Sequence, residues 1–409
     1  MPNGENWQGD VLRDLRAPAP GPTPDQAQAQ AQAQTQLQTQ LQALDQAQAT
    51  AAQTFAQALT APDQGSAPGY EQGYGQAYGQ GYEQAPAGQP QGAAPGRQAV
   101  APRSPDSRPT VDRNLAAVAR KPRSGEALAT RVARAVWKNV SKSAAREVAE
   151  ATRTAEILQQ PVTTGRQIAV TSIRGGAGKS TVAALLGTTY AHYRKDPVLF
   201  VEADPALGSL PVKLGAETVR WTTSDVADIV KPQMSLLDVT GYLVQLRNNS
   251  WLLPGSQGQI GTMLDARGYQ RVMVALRRYF GITVVDCQTL PAEVARVALS
   301  ASQARVLTTP ATLDGVASTH EVLQWMRGLP PHVIAGTVVV VTEQTPHSGV
   351  DLDAAVRTLR STGTSVHLLR YDRHLAAGGT IRTDLLTRAT RTTATRLAAD
   401  VFELSQKRH

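Results

Sequence analysis

Cysteine is almost missing from this chain: among 409 residues there is one, Cys287. A lone thiol closes no internal disulfide, so nothing ties the fold to an oxidising compartment. Long apolar runs are missing too, and none approaches the roughly 20 residues that cross a bilayer as a helix. The opening MPNGENWQGD is too polar for a secretory leader. These absences together predict a cytoplasmic protein. Acidic residues are in deficit, 33 against 41 Lys and Arg, for a formal net charge of +8. Such an excess favours anionic partners: nucleic acid, acidic lipid or an acidic protein.

What is present divides the chain into parts. Gln, Ala, Gly and Pro crowd the N-terminal quarter, whereas Val, Leu and Ile dominate after Ile168. Only the second part can build a core, and residues 1–125 read as a disordered low-complexity region. Within it, Asp25 to Leu59 is rich in helix formers without a wide apolar stripe, and GYEQGYGQAYGQGYEQ (Gly69 to Gln84) spaces tyrosine among Gly and Gln as a flexible tether does. Residues 126–160 read as a basic amphipathic helix. Leu128, Val132, Val136 and Val140 recur at every fourth position, with Trp137 and Val148 near that face. Arg131, Arg134, Lys138, Lys142 and Arg146 form the other face, which suits an anionic membrane surface or a partner groove. Packing of the apolar stripe on the following domain is the alternative.

From 161 to 409 short β-branched runs alternate with helical stretches. The runs begin at Ile168, Val198, Trp251, Ile282, Arg305, Gly336 and Ser365. Such alternation predicts an α/β fold with a doubly wound, mostly parallel sheet, its ligands at the carboxyl ends of the strands. At the first run stands IAVTSIRGGAGKSTVAALLG, Ile168 to Gly187. The common phosphate loop reads G-x-x-x-x-G-K-[ST], and Gly178, Lys179 and Ser180 fit it while Ile173 holds the place of the first glycine. Gly175, Gly176, Ala177, Gly178, Lys179, Ser180 and Thr181 are expected to cradle a polyphosphate at a helix N-terminus. Lys179 would neutralise its charge and Ser180 would place a hydroxyl on Mg²⁺.

The stretch resembles the deviant loop x-K-G-G-x-G-K-[ST] of the MinD and ParA family of dimeric P-loop ATPases, which needs no glycine at the first place. The resemblance implies ATP and Mg²⁺ as ligands and an ATP-dependent homodimer. Arg174 stands where that family has a signature lysine reaching the partner's nucleotide, and an arginine-finger role in trans follows. In VLFVEADPALGSL, Asp204 matches the carboxylate that orients the attacking water, and Glu202 the first carboxylate near Mg²⁺. In YFGITVVDCQTLP, Asp286 matches the carboxylate of the Mg²⁺ shell, followed by Cys287 as a small buried filler. Glu343 and Gln344 occupy the region where the family places a base-reading asparagine, so Gln344 becomes the adenine reader.

EADPALGSL, VVDCQTL and RYDRHLAAGGTI, in that order after the loop, resemble an actinobacterial branch of MinD-like proteins associated with type VII secretion. Slow ATP hydrolysis that regulates or positions a membrane secretion apparatus is the function this implies. Two other readings stand beside it. One is a partitioning ATPase that binds DNA without sequence preference through Arg370, Arg373, Arg382, Arg388, Arg391 and Arg396. The other is a scaffold that holds nucleotide with little hydrolysis. RLAADVFELSQKRH reads as the last helix of the domain, which leaves any peripheral membrane contact to residues 126–158.

Overall fold

The computed structural model describes residues 105–111, 124–125, 144–204, 208–231, 233–257 and 264–407. The Gln/Ala and Tyr/Gly repeats, and Leu128 to Val140 of the expected amphipathic helix, lie outside the described residues. Ten strands are present among them: β1 (Arg108–Pro109), β2 (Arg166–Ser172), β3 (Val198–Ala203), β4 (Thr218–Val219), β5 (Val244–Gln245), β6 (Ser250–Leu253), β7 (Ile282–Cys287), β8 (Ala304–Pro310), β9 (Thr337–Thr342) and β10 (Ser365–Leu369). Eight of them form one sheet in the order β10-β9-β8-β2-β7-β3-β6-β5. All its neighbours pair in parallel except β5 with β6.

The seven runs of the sequence all became strands of this sheet, because a parallel strand covered on both faces needs apolar residues on each. Alternate residues supply two separate cores. Ile168, Val170, Val198, Phe200, Ile282 and Val284 face one side, with the helices Lys179–Tyr193 and Arg388–Gln406. Ala169, Leu199, Val201, Val285 and Leu307 face the other, with the helices Ala266–Leu276, Glu293–Ala301 and Leu313–Met326. From β2 the chain proceeds to β3 on one side of the sheet, and it later reaches β8 on the other. The carboxyl end of β2 is therefore the switch point at which such sheets bind ligands.

Two observations depart from the reading of the sequence. Residues 105–111 fall in the region read as disordered, yet β1 pairs with β4, Thr110 donates to Glu217 O at 2.9 Å, and Arg220 Nε donates to Pro105 O at 2.9 Å. Val148, placed near the apolar face, is 65 % exposed. Its helix, Ala144–Leu158, docks instead through buried Leu158 and through Glu150, which pairs with Arg396 at 2.6 Å. Arg194 secures the end of that helix by donating to Leu158 O at 2.7 Å and Gln160 O at 2.9 Å. The final helix, Arg388–Gln406, buries Leu397, Val401 and Phe402, as the domain's last element should.

The helix Lys179–Tyr193 approaches β3 at Gly187, where an added Cβ would lie 2.1 Å from Phe200 Cε1. Overpacking a core costs about 1–3 kcal/mol, and a glycine-to-alanine change in a helix regains at most about 1 kcal/mol. Gly187→Ala is expected to lower the midpoint of urea unfolding with an unchanged slope; an unchanged midpoint would show that the contact yields.

Candidate nucleotide site

After Ser172 the chain turns through Ile173 to Gly178 and enters the helix at Lys179. Gly176 and Gly178 have φ of 74° and 80°, the left-handed region where a side chain is strained, so the turn requires glycine at both. Above the turn lies open space, since a Cβ added at Gly175 or Gly176 would meet no atom within 4 Å. Gly178 brings no side chain to cap the helix, which leaves its first amides and the positive end of its dipole for an anion. Two neighbours brace the turn from behind. Thr342 Oγ1, at the end of β9, donates to Ala177 O at 3.1 Å, and Gln344 Nε2 donates to Gly176 O. The residue expected to read adenine thus holds the loop in this structure. Glu343 accepts from Tyr371 N at 3.0 Å and joins two loops.

Asp286 lies on β7 in register with Val170 of β2 and Glu202 of β3, on the face of the helix that begins at Lys179. It is 1 % exposed. Burial pushes its pKa from 3.8 up to about 7, against the pull of the nearby Ser180 hydroxyl and Lys179 ammonium, with Asp204 adding to the rise. Ser180 is close enough to be felt, but neither Asp286 oxygen has a partner at normal hydrogen-bond geometry. A buried acid without partners is costly unless something else completes its surroundings.

Glu202 is just as buried and differently occupied. Its Oε1 accepts from Leu210 N and its Oε2 from Gly255 N, both at 3.0 Å. Burial raises its pKa to about 8, and the two amides counter that rise without cancelling it. The resemblance places Glu202 at Mg²⁺; here both oxygens join the segment after Asp204 to the turn after β6. An added Cβ at Gly208 would lie 2.0 Å from Oε1, so this clamp leaves no room for a larger residue there. Asp204 itself is half-buried beyond the end of β3, near enough to raise the pKa of both other acids.

Arg174 points away from the turn. Its Nε and Nη2 donate to Ser318 Oγ, at 3.2 and 3.0 Å, on the helix Leu313–Met326. Lys213 is the residue missed by sequence reasoning. It stands on the short helix Leu210–Leu214, and burial lowers its pKa while Asp286 draws it back up. No motif marks it, since only the fold brings that helix to β7. Cys287 is fully buried and its thiol is pushed far up by burial, so it is inert filler.

The set fits Mg²⁺ and a polyphosphate: an orphaned carboxylate, a hydroxyl and two lysines beneath an open glycine turn. No group of three His, Cys, Asp or Glu side chains among the described residues could hold a metal alone. Mg²⁺ does not require such a cage, because it is commonly held by one or two protein oxygens together with phosphates.

No family model matches the chain. Among curated proteins it is 28 % identical over 254 residues to the ESX-1 secretion-associated protein EspI of Mycobacterium tuberculosis, covering 59 % of this chain and 37 % of EspI. It is 31 % identical over 152 residues to the septum site-determining protein MinD of Thermotoga maritima, covering 36 % of this chain and 53 % of MinD. The chain therefore spans well under two thirds of either relative's length. Among solved structures, a ParA family ATPase from Chlorobium tepidum aligns with a TM-score of 0.48 at 14 % identity, covering 57 % of this chain and 98 % of that one. By its sequence the chain is similar to EspI and to MinD over part of its length, and its mostly parallel eight-stranded sheet, covered by helices on both faces, is a doubly wound α/β fold.

Proposed function

We propose that the chain is an ATP-operated dimer switch whose nucleotide-bound form engages a protein partner of a type VII secretion apparatus, and whose hydrolysis ends that engagement. The observation that carries this reading is Asp286, buried and unpartnered beside Ser180 and Lys179 under the open turn. Lys179 and the first amides of its helix bind the phosphates, and Thr181 lies in the same first turn. Ser180 and Asp286 hold Mg²⁺, which when bound neutralises charge on the phosphates. Asp204 orients the attacking water. Glu202 keeps the Asp204 segment in place by accepting hydrogen bonds from the backbone amides of Leu210 and Gly255. Arg174, held on Ser318 within one subunit, serves the partner's nucleotide after dimerisation. The secretion partner rests on the similarity to EspI. The DNA reading gains less, because Arg396 is paired with Glu150 at 2.6 Å and Arg382 with Asp384 at 2.8 Å.

Light scattering on the full chain tests the switch. A dimer is expected with ATP-Mg²⁺ but not ADP-Mg²⁺, trapped by Asp204→Ala and absent in Lys179→Ala. A monomer that binds nucleotide throughout would favour the scaffold instead. Arg174→Ala is expected to lower turnover by at least about 100-fold with ATP binding retained, and Arg174→Lys to restore part of it. Loss of nucleotide binding in Arg174→Ala would place that residue in cis.

The buried acids also set a pH dependence. The folded-state pKa values of Asp286 and Glu202 lie above their ordinary values of 3.8 and 4.5. Each acid therefore contributes most below its unfolded pKa and loses that contribution as pH rises through about 7 and about 8. Stability of the nucleotide-free protein should fall between pH 5 and 8. Asp286→Asn should flatten this fall and melt above the wild type at pH 8, while losing ATP turnover. A parallel pH profile would show that Asp286 is not the titrating group.

A further inference from the structure

On the sheet face opposite the nucleotide helix, the helices Glu293–Ala301 and Leu313–Met326 leave a cavity of about 280 Å³ over β8. Its walls are almost wholly apolar, with Leu290, Leu299 and Leu307 among them, and it is partly open to solvent. Trp325, which also lines it, is 39 % exposed. At a liquid-like 30 Å³ or so per water-sized group, the space holds roughly nine non-hydrogen atoms. Ile173 lines it too, the residue that replaces the first glycine of the phosphate loop.

One charged side chain lines this space. Arg305 is 6 % exposed, and its Nε donates to Leu299 O at 2.8 Å. Among the described residues no carboxylate pairs with it, and no acceptor is bonded to its two terminal nitrogens. Burial lowers its pKa only to about 10, so it stays protonated at neutral pH. A buried cation without a counter-ion is a large uncompensated cost. The guanidinium fork matches a carboxylate in bidentate fashion. Strand register places Arg305 four residues before the level of Ile173, about 13 Å away along the sheet at 3.3 Å per residue. The cavity is thus walled by apolar side chains spread over several residues of strand and holds one buried cation.

We propose that this slot binds a small amphipathic carboxylate, its apolar body between the helices Glu293–Ala301 and Leu313–Met326 and its carboxylate on Arg305. The volume and the near absence of polar walls favour a medium-chain acid over a sugar, nucleotide or peptide, whose polar groups would be buried without partners. The reading is independent of the nucleotide site, which uses the other face and other cations.

Calorimetric titration of the full chain with octanoate, and with 1-octanol as the uncharged analogue, tests it. Octanoate should bind saturably, at least about tenfold more tightly than octanol, because octanol leaves the guanidinium unpaired. Arg305→Met should bind octanoate no better than octanol, Val322→Trp should occlude the slot to both, and Lys179→Ala should leave octanoate binding unchanged. Absence of saturable octanoate binding overturns the site, and this outcome needs no variant to fold. Equal binding of acid and alcohol by the wild type, or unchanged octanoate binding by an Arg305→Met protein that melts like the wild type, overturns the role of Arg305. Binding lost in Lys179→Ala and kept in Arg305→Met moves the anion to the glycine turn and also overturns the proposal.

Discussion

Asp286 and Glu202 face the same side of the sheet from adjacent strands, at a depth where an ionised carboxylate has little water to solvate it. Burial raises the pKa of both, Asp286 adds to the rise at Glu202 and Asp204 to the rise at each, so each must find compensation. Glu202 finds it in two backbone amides. Asp286 has only the through-space attraction of Lys179 and Lys213 and the nearness of Ser180. The register cannot slip to relieve them, since a shift of one residue would turn every apolar side chain of β3 and β7 to the wrong core. The sheet that builds the core thus forces one acid into an incomplete environment, and the glycine turn sets a lysine and a hydroxyl over it.

Much of this was legible in the chain itself. Strands buried on both faces leave unbroken Val, Ile and Leu runs, so all seven main strands could be read from TVVVVT, ITVVDC and their like. The glycine turn was legible because Gly176 and Gly178 adopt backbone angles few other residues tolerate. Elements defined only by what they meet were not legible: β1, β4 and β5 are two residues long, and Lys213 carries no pattern around it. Val148 sits exposed on Ala144–Leu158 because that helix docks through Leu158 and Glu150. Glu202 shows a further limit, because its type and place suit a metal ligand and only the positions of Leu210 N and Gly255 N show what its oxygens hold.

Ile173 and Arg174 are consecutive, yet they serve different faces of one helix's surroundings. Ile173 lines the slot beneath Leu313–Met326, while Arg174 reaches Ser318 on that same helix. The glycine turn is thus joined to this helix by an apolar contact surface on one side and a hydrogen bond on the other. Replacing the usual first glycine with isoleucine makes the first of these links, because glycine has no side chain to contribute to the slot.

The docking of Ala144–Leu158 has a mechanical consequence. The helix Ala144–Leu158 rests on Arg388–Gln406, held by Leu158, by the Glu150–Arg396 pair and by the bonds from Arg194, while upstream of it β1 is held on β4 and Gly125 N donates to Leu385 O. Arg388–Gln406 in turn rests on the helix that starts at Lys179. Tension applied at the start of Ala144–Leu158 would pass to Arg388–Gln406, which packs both on the helix that starts at Lys179 and on β2, β8 and β10. The surface ion pair would give way first, being screened and weak, and buried Leu158 last.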